Sequence, residues 1–425
     1  MASQWSLTEI RREGVEMFIN YFGDDTRQSP VNLAVARGII GVWLIWKTIM
    51  YDWRLFLEVP FHMTPAFAWA IPPIAPGLIL TVEKWVAIGL LLAFMLGYRI
   101  RLTAGVSAVL LAHLGTVRAT QLTSGETESI FIGVFFLIMF ALYAGQDRLS
   151  VDELRRAGKD SVDSLRTSLT TTSTAYRLVA LKWCLVIIAL IYFGSGFDKI
   201  FHAGLLNPTL EFAAPDNLAR ITTLYRSDGP VQFVNEYPLL MRLGGIGTLV
   251  LELGFLAAVL AGITVTPVIV GLLAFTVANT LLLGIHFVDV YFILLLFAGW
   301  DRAYRRIVSD RDLVIVFDDR CHFCMRSLLP FKHLDINDSV TFLPQRDAPT
   351  RYSERDGVDF DRAMFAFHDG ECWEGYYAFR ELLRQFRIFF WLVYLMQLRP
   401  VAYVGTRVYR LVAANRGRTF TCQVD

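Results

Sequence analysis

Cys321 and Cys324 stand with two residues between them in VIVFDDRCHFCMRSLLPFKHL, Val314–Leu334. Two thiols at this spacing can trade an electron pair with a disulfide, or supply half of a metal site. A β-branched apolar run precedes them and an apolar run at helical spacing follows, so the pair opens a helix. A helix N-terminus offers unpaired N–H groups and partial positive charge, which stabilise a thiolate. On this reading Cys321 is the exposed nucleophile and Cys324, one turn later, resolves the mixed disulfide. Arg320 and His322 favour the thiolate, whereas Asp318 and Asp319 oppose it unless one of them caps the helix. Two alternatives stay open. Zinc would need four ligands, and with no second Cys-x-x-Cys the others would be His333, His368 or Cys372, brought in by the fold. The pair could also be structural and inert.

A second group of residues carries charge inside apolar runs, where charge is costly and often functional. Arg37 and Lys47, Glu83 and Lys84, His113, Glu252, His286 and Asp289 are of this kind. Arg37, His113, Glu252 and His286 are the membrane-embedded polar candidates, against the plainer reading of ion pairs that hold a bundle together. Asp198, Lys199 and His202 arrive together where a span ends in IALIYFGSGFDKIFHAGLLNPT, Ile188–Thr209. A partly desolvated lysine can act as a base. The bland alternative is a snorkelling lysine paired with Asp198.

These residues need elements to position them. The chain has 425 residues, 55% hydrophobic and 14% aromatic. Only 19% are charged, against ~25% in an ordinary soluble protein. A net charge of +1 gives no field for nucleic acid. Five scattered cysteines, Cys184, Cys321, Cys324, Cys372 and Cys422, are too sparse for a disulfide scaffold. The N-terminal stretch lacks the apolar core of a cleavable signal and reads as an amphipathic surface segment.

Eight apolar runs are long enough to be candidate spans. They are Val31–Tyr51, Leu78–Gly97, Leu102–Thr120, Ser129–Gly145, Tyr176–Gly196, Leu239–Gly262, Thr264–Ile285 and the short Val288–Trp300. Pro-rich Phe61–Pro76 reads as interfacial. Eight spans put both termini on one side. That side holds the richer Lys/Arg set, including Arg148, Arg155, Arg156, Lys159 and Arg166, which makes it cytoplasmic, as in a bacterial-type inner or plasma membrane.

After Trp300 a charged linker leads to a small soluble domain. DLVIVF and VTFLPQ read as strands, and AMFAFHDGECWEG as a hairpin turning at Asp369-Gly370. YYAFRELLRQF reads as an amphipathic helix. IFFWLVYLMQLRPVAYV is too short to span, and reads either as a buried helix of the small domain or as a helix resting on the membrane.

The fold class is thus a polytopic α-helical membrane bundle of about eight spans, followed by a small α/β thioredoxin-like domain. The expected divisions are 1–30, 31–305 and 306–425.

VFDDRCHFC, VTFLPQRD, GYYAFRELL and RPVAYVGTRVYRLVAANR, in this order, resemble the DCC family of thiol–disulfide oxidoreductases. The resemblance covers about Asp312–Asp425. It implies a thioredoxin-like fold and dithiol chemistry at Cys321 and Cys324, with Asp318 as the family's aspartate. The family pattern is Asp-Gly-x-Cys-x-x-Cys, and Asp319 stands here where the glycine is usual. AVARGIIGVWLIW, YFGSGFDKI, LELGFLAAVL and GIHFVDVYFILLLFAGW resemble the HTTM domain, which is related to the vitamin K-dependent γ-glutamyl carboxylase. That resemblance covers roughly Val31–Arg305 and implies Lys199 as the position of the carboxylase base, with Asp198 replacing a neighbouring lysine.

Three functions follow as expectations. The first is a membrane-anchored thiol–disulfide oxidoreductase that exchanges with a protein or small-molecule redox partner, its bundle serving as anchor or as the site of a quinone-like substrate. The second is a carboxylase-related membrane enzyme using Lys199. The third is a non-catalytic membrane interaction protein. Lipid bilayer is a partner in all three, and nucleic acid in none.

Overall fold

The computed structural model describes residues 30–51, 76–119, 128–143, 149–157, 159–171, 178–201, 209–217, 236–261, 266–283, 288–308, 311–353, 358–360 and 362–419. The N-terminal amphipathic segment, the Pro-rich run, His202, His286 and Cys422 lie outside them. The chain divides into two compact units. One holds Val35–Gly145 and Arg177–Gly299. The other joins Trp300–Asp425 with the insert Gln146–Tyr176.

The first unit is helical: α1 Pro30–Met50, α2 Pro76–Met95, α3 Ile100–Ala119 and α4 Glu128–Tyr143, then α7 Val179–Phe201, α8 Pro238–Leu260, α9 Thr266–Leu283 and α10 Val288–Leu295. Among the described residues five helices (α1, α2, α3, α7 and α8) are long and apolar enough to cross a bilayer. The fourth and seventh apolar runs form shorter apolar helices, and the eighth yields only eight helical residues. Five helices of full spanning length, rather than the eight expected, stand among the described residues, or six if the bent C-terminal pair counts as one span. At 1.5 Å of rise per residue, a helix of eight reaches only ~12 Å. Long apolar side chains on α2, α3 and α8 point outward, Trp85, Val109 and Leu239 among them, as an integral membrane protein requires. Glu83-Lys84 does not interrupt α2. The lysine reaches the carbonyls of Ile49 and Tyr51 at 3.2 and 3.3 Å, and the glutamate turns to His113.

The second unit contains the insert helices α5 Val151–Ala157 and α6 Val162–Thr170, and the short α11 Trp300–Arg305. There follow β1 Leu313–Phe317, α12 His322–Leu334, β2 Val340–Pro344 and α13 Thr350–Ser353. The hairpin β3 Phe365–His368 and β4 Glu371–Glu374 leads into α14 Tyr376–Arg384, α15 Phe390–Gln397 and α16 Arg399–Thr419. The sheet order is β2-β1-β3-β4. β1 pairs parallel with β2 through the α12 crossover, and antiparallel with β3. Ile315, Val316 and Phe317 are buried because β1 is an inner strand covered on both faces. The hairpin turns on Asp369 (φ 45°) and Gly370 (φ 81°), the pair of positive φ values that a two-residue turn of right-handed twist demands.

Asp335 stitches the end of α12 to β2. Its carboxylate accepts from the Ser339 and Val340 backbone N–H groups at 3.0 and 2.7 Å, and from the Ser339 hydroxyl at 2.8 Å. Burial raises its pKa above the usual carboxylate range, and these hydrogen bonds oppose the shift. Gly405 lets α16 lie directly on the Tyr376 ring of α14, where any Cβ would collide.

Candidate active site

The loop Asp318–Arg320 and the first turn of α12 build the site. Asp318 Oδ1 accepts from the Arg320 backbone N–H at 3.0 Å, closing an Asx-type turn that delivers Cys321 to the helix start. Cys321 is itself the N-cap. Its φ and ψ of −90° and 105° are extended, and its Sγ accepts the Cys324 backbone N–H at 3.4 Å. Neither aspartate takes the capping role; the sulfur does. The first turn thus directs a hydrogen bond and its dipole at the Cys321 sulfur.

Cys321 is fully buried, which corrects the expectation of an exposed nucleophile. A helix about 150 residues upstream packs beside this loop. Helix α6 packs on α12 and β2, with Leu165 and Leu169 buried. Its Arg166 reaches the carbonyl of Asp319 at 3.1 Å and ion-pairs the Asp319 carboxylate, Nε to Oδ2, at 3.1 Å. Arg346, just after β2, ion-pairs the same oxygen at 2.5 Å. His322 donates from Nε2 to the carbonyl of Asp160 at 3.2 Å. Asp319 is buried and does not adopt a positive φ, so the missing glycine causes no backbone strain.

Cys324 is only half-buried. It opens on a cleft of about 70 Å³ shared with Asp318, Phe323, Met364, Phe379 and Tyr409. The Tyr409 hydroxyl accepts the Met364 backbone N–H at 3.0 Å, which ties α16 to the entry of β3 beside the thiol. The cleft therefore brings Cys324 and Asp318 together in a mainly apolar lining.

Among the described residues, no three His, Cys, Asp or Glu side chains converge as a metal-holding group. His368 is instead hydrogen-bonded to the carbonyl of Asp312 at 2.9 Å, and Cys372 is exposed on β4.

In the helical unit, Lys199 does not pair with Asp198. Adjacent residues on a helix point apart. Its amine meets both oxygens of Glu252 on α8 at 2.6 and 2.7 Å, donates to Ser195 Oγ at 2.8 Å, and lies 5.2 Å from the Phe212 ring centre. Gly196 makes this possible, since a Cβ there would press on Glu252 and Leu253 at 3.0 Å. Lys47 of α1 pairs with Asp289 of α10 at 2.7 Å and with Ser129, and Trp43 donates to Asp289 at 2.6 Å. His113 Nδ1 and Glu83 lie 2.8 Å apart. Arg37 is buried on α1. The embedded charges were visible one by one in the sequence; their partners were not, because each pair joins two different helices.

Residues 315–422 match the family model described as DCC1-like thiol–disulfide oxidoreductase. The match supports thiol–disulfide oxidoreductase activity in this part of the chain, which follows a set of long apolar helices. Comparison of the chain with curated proteins and with solved structures gave no match.

Proposed function

We propose that the protein is a membrane-anchored thiol–disulfide oxidoreductase whose working pair is Cys321 and Cys324. The observation that carries the reading is the N-cap sulfur of Cys321, which receives the Cys324 N–H at the start of α12. The Cys321 thiolate attacks one sulfur of a substrate disulfide, forms a mixed disulfide and expels the other sulfur as a thiolate. Cys324, having given up its proton, then attacks the Cys321 sulfur and releases the second substrate thiolate. The substrate gains two electrons and the protein is left with a Cys321–Cys324 disulfide, which a dithiol reductant returns to the dithiol. Asp318, on the wall of the cleft beside Cys324, is the group that takes the Cys324 proton. Because Cys321 is buried under α6, that helix must lift for substrate to reach it.

The redox domain is read as residues 306–425 together with the insert 146–176, and the bundle as the rest of 31–305. The compact grouping of insert and C-terminal domain supports placing both on one side of the membrane. An even number of crossings then separates them, whichever of the shorter helices span. The insert's Arg155, Arg156, Lys159 and Arg166 favour the cytoplasm for that side. A quinone-like partner in the bundle would be the lipophilic end of the electron path. The Lys199 alternative is weaker. An amine engaged by Glu252 and Ser195 must break those contacts before it can take a substrate proton.

Thiol trapping tests the roles. In cells, Cys324→Ser should accumulate mixed disulfides through Cys321, and these should vanish in the double Cys→Ser variant. Equal trapping with and without Cys321 would refute the assignment.

A further inference from the structure

The C-terminal helix pair leaves an apolar stripe uncovered. α15 exposes Trp391, Tyr394 and Leu395, and α16 exposes Val401, Val404 and Val408 at a spacing of three and four. That spacing puts the three valines on one face. The two helices meet at a bend of 97°. α15 has eight residues and reaches ~12 Å, too little to cross ~30 Å of hydrocarbon.

Along the chain, the charge that accompanies the stripe has one sign. Between Glu381 and Asp425 there are seven arginines and no Asp, Glu or Lys. Arg399, Arg407 and Arg410 flank the apolar residues as exposed side chains, and Arg407 stacks over the Tyr403 ring at 4.2 Å. Apolar and aromatic side chains flanked by exposed arginines fit a surface that is greasy below and negative above.

We propose that α15 and the first half of α16 are an interfacial docking element, by which the redox domain rests on anionic lipid. The occupant is the lipid surface rather than a protein. A second copy of the chain would bring arginine against arginine, whereas acidic headgroups neutralise the rim and the acyl boundary takes up the aromatic and aliphatic side chains. The membrane helices keep a bilayer within reach of this element at all times. Docking does not depend on dithiol chemistry and should persist in Cys321→Ser.

The test places a fluorescent amino acid at Tyr394, or in a second variant at Val404, in the full chain reconstituted in lipid nanodiscs. The control position is Asp369, an exposed turn residue. Lipids carry a nitroxide quencher either at the headgroup level or at the acyl end. The expected result is headgroup-level quenching at Tyr394 and Val404 at least about twofold above Asp369. It should fall when phosphatidylglycerol is replaced by phosphatidylcholine, and when Arg399, Arg407 and Arg410 are changed together to Gln. Equal quenching at Tyr394, Val404 and Asp369 would overturn the proposal. So would stronger quenching from the acyl end, which marks a re-entrant insertion, or probe shielding that appears only when two protein copies share a disc.

Discussion

Asp319 and Glu252 are nearly inaccessible carboxylates, and each is held by cations from distant parts of the chain. Asp319 answers Arg166 and Arg346, and Glu252 answers Lys199. Removing one partner of a buried pair strands the other charge, at a cost of roughly 3–5 kcal/mol when both are dry and less when one is wet. Lys199 is about a fifth exposed. We therefore expect Glu252→Gln to cost about 2–3 kcal/mol. Thermal unfolding in detergent should show this, and Lys199→Met/Glu252→Leu together should recover much of the loss. Recovery identifies the pair as packing; a double variant as unstable as the single would show that the pair itself is needed. The residue types at these positions were readable in the sequence as costly charges. Asp198 was the wrong partner for Lys199 because proximity in the chain is not proximity on a helix surface.

At the scale of elements, α6 is a cover on the thiol. Arg166 fixes it to the loop before Cys321 by a carbonyl and a carboxylate contact. Arg166→Ala should raise the rate of Cys321 alkylation by a small maleimide about tenfold, a factor worth ~1.4 kcal/mol of opening, while Cys324 changes little. Mass mapping of the alkylated peptides measures both rates at once, and an unchanged Cys321 rate would mean that α6 does not gate it. The strands, the hairpin turn and the helix opened by Cys-x-x-Cys follow from patterns within ten or so residues, and all stand where the sequence indicated. The cover could not be read this way. VDSLRTSLT is a weakly apolar segment between two spans, and nothing local says that its two leucines bury on a domain 150 residues later. Asp319 in place of the usual glycine was the one local sign, since a carboxylate in that loop needs a cation.

Across the whole molecule, residues 146–176 and 300–425 form one unit although four of the described apolar helices lie between them in the chain. Cysteines introduced at exposed Asp163 and Asp369 should therefore react with a membrane-impermeant maleimide from the same side, in both cases only after the cells are permeabilised. Labelling from opposite sides would break the topology, and labelling of both in intact cells would reverse its orientation. Composition and apolar runs were enough to read a membrane protein that ends in a small mixed α/β domain. Counting spans was harder. A run of apolar residues ends where hydropathy falls, whereas a helix ends where its backbone can no longer hydrogen-bond, and the eighth run stops being helical after Leu295.

The central claim is that Cys321 and Cys324 act as one two-electron couple, and a redox titration of the purified full chain tests it most directly. The protein is equilibrated across a range of dithiothreitol redox buffers, quenched by acid, alkylated and mapped by peptide mass. Cys321 and Cys324 should pass from alkylated to disulfide-linked together, at one midpoint and reversibly, with Cys372 alkylated throughout. Two thiols that stay alkylated across the whole range, or that oxidise at separate midpoints, would contradict it.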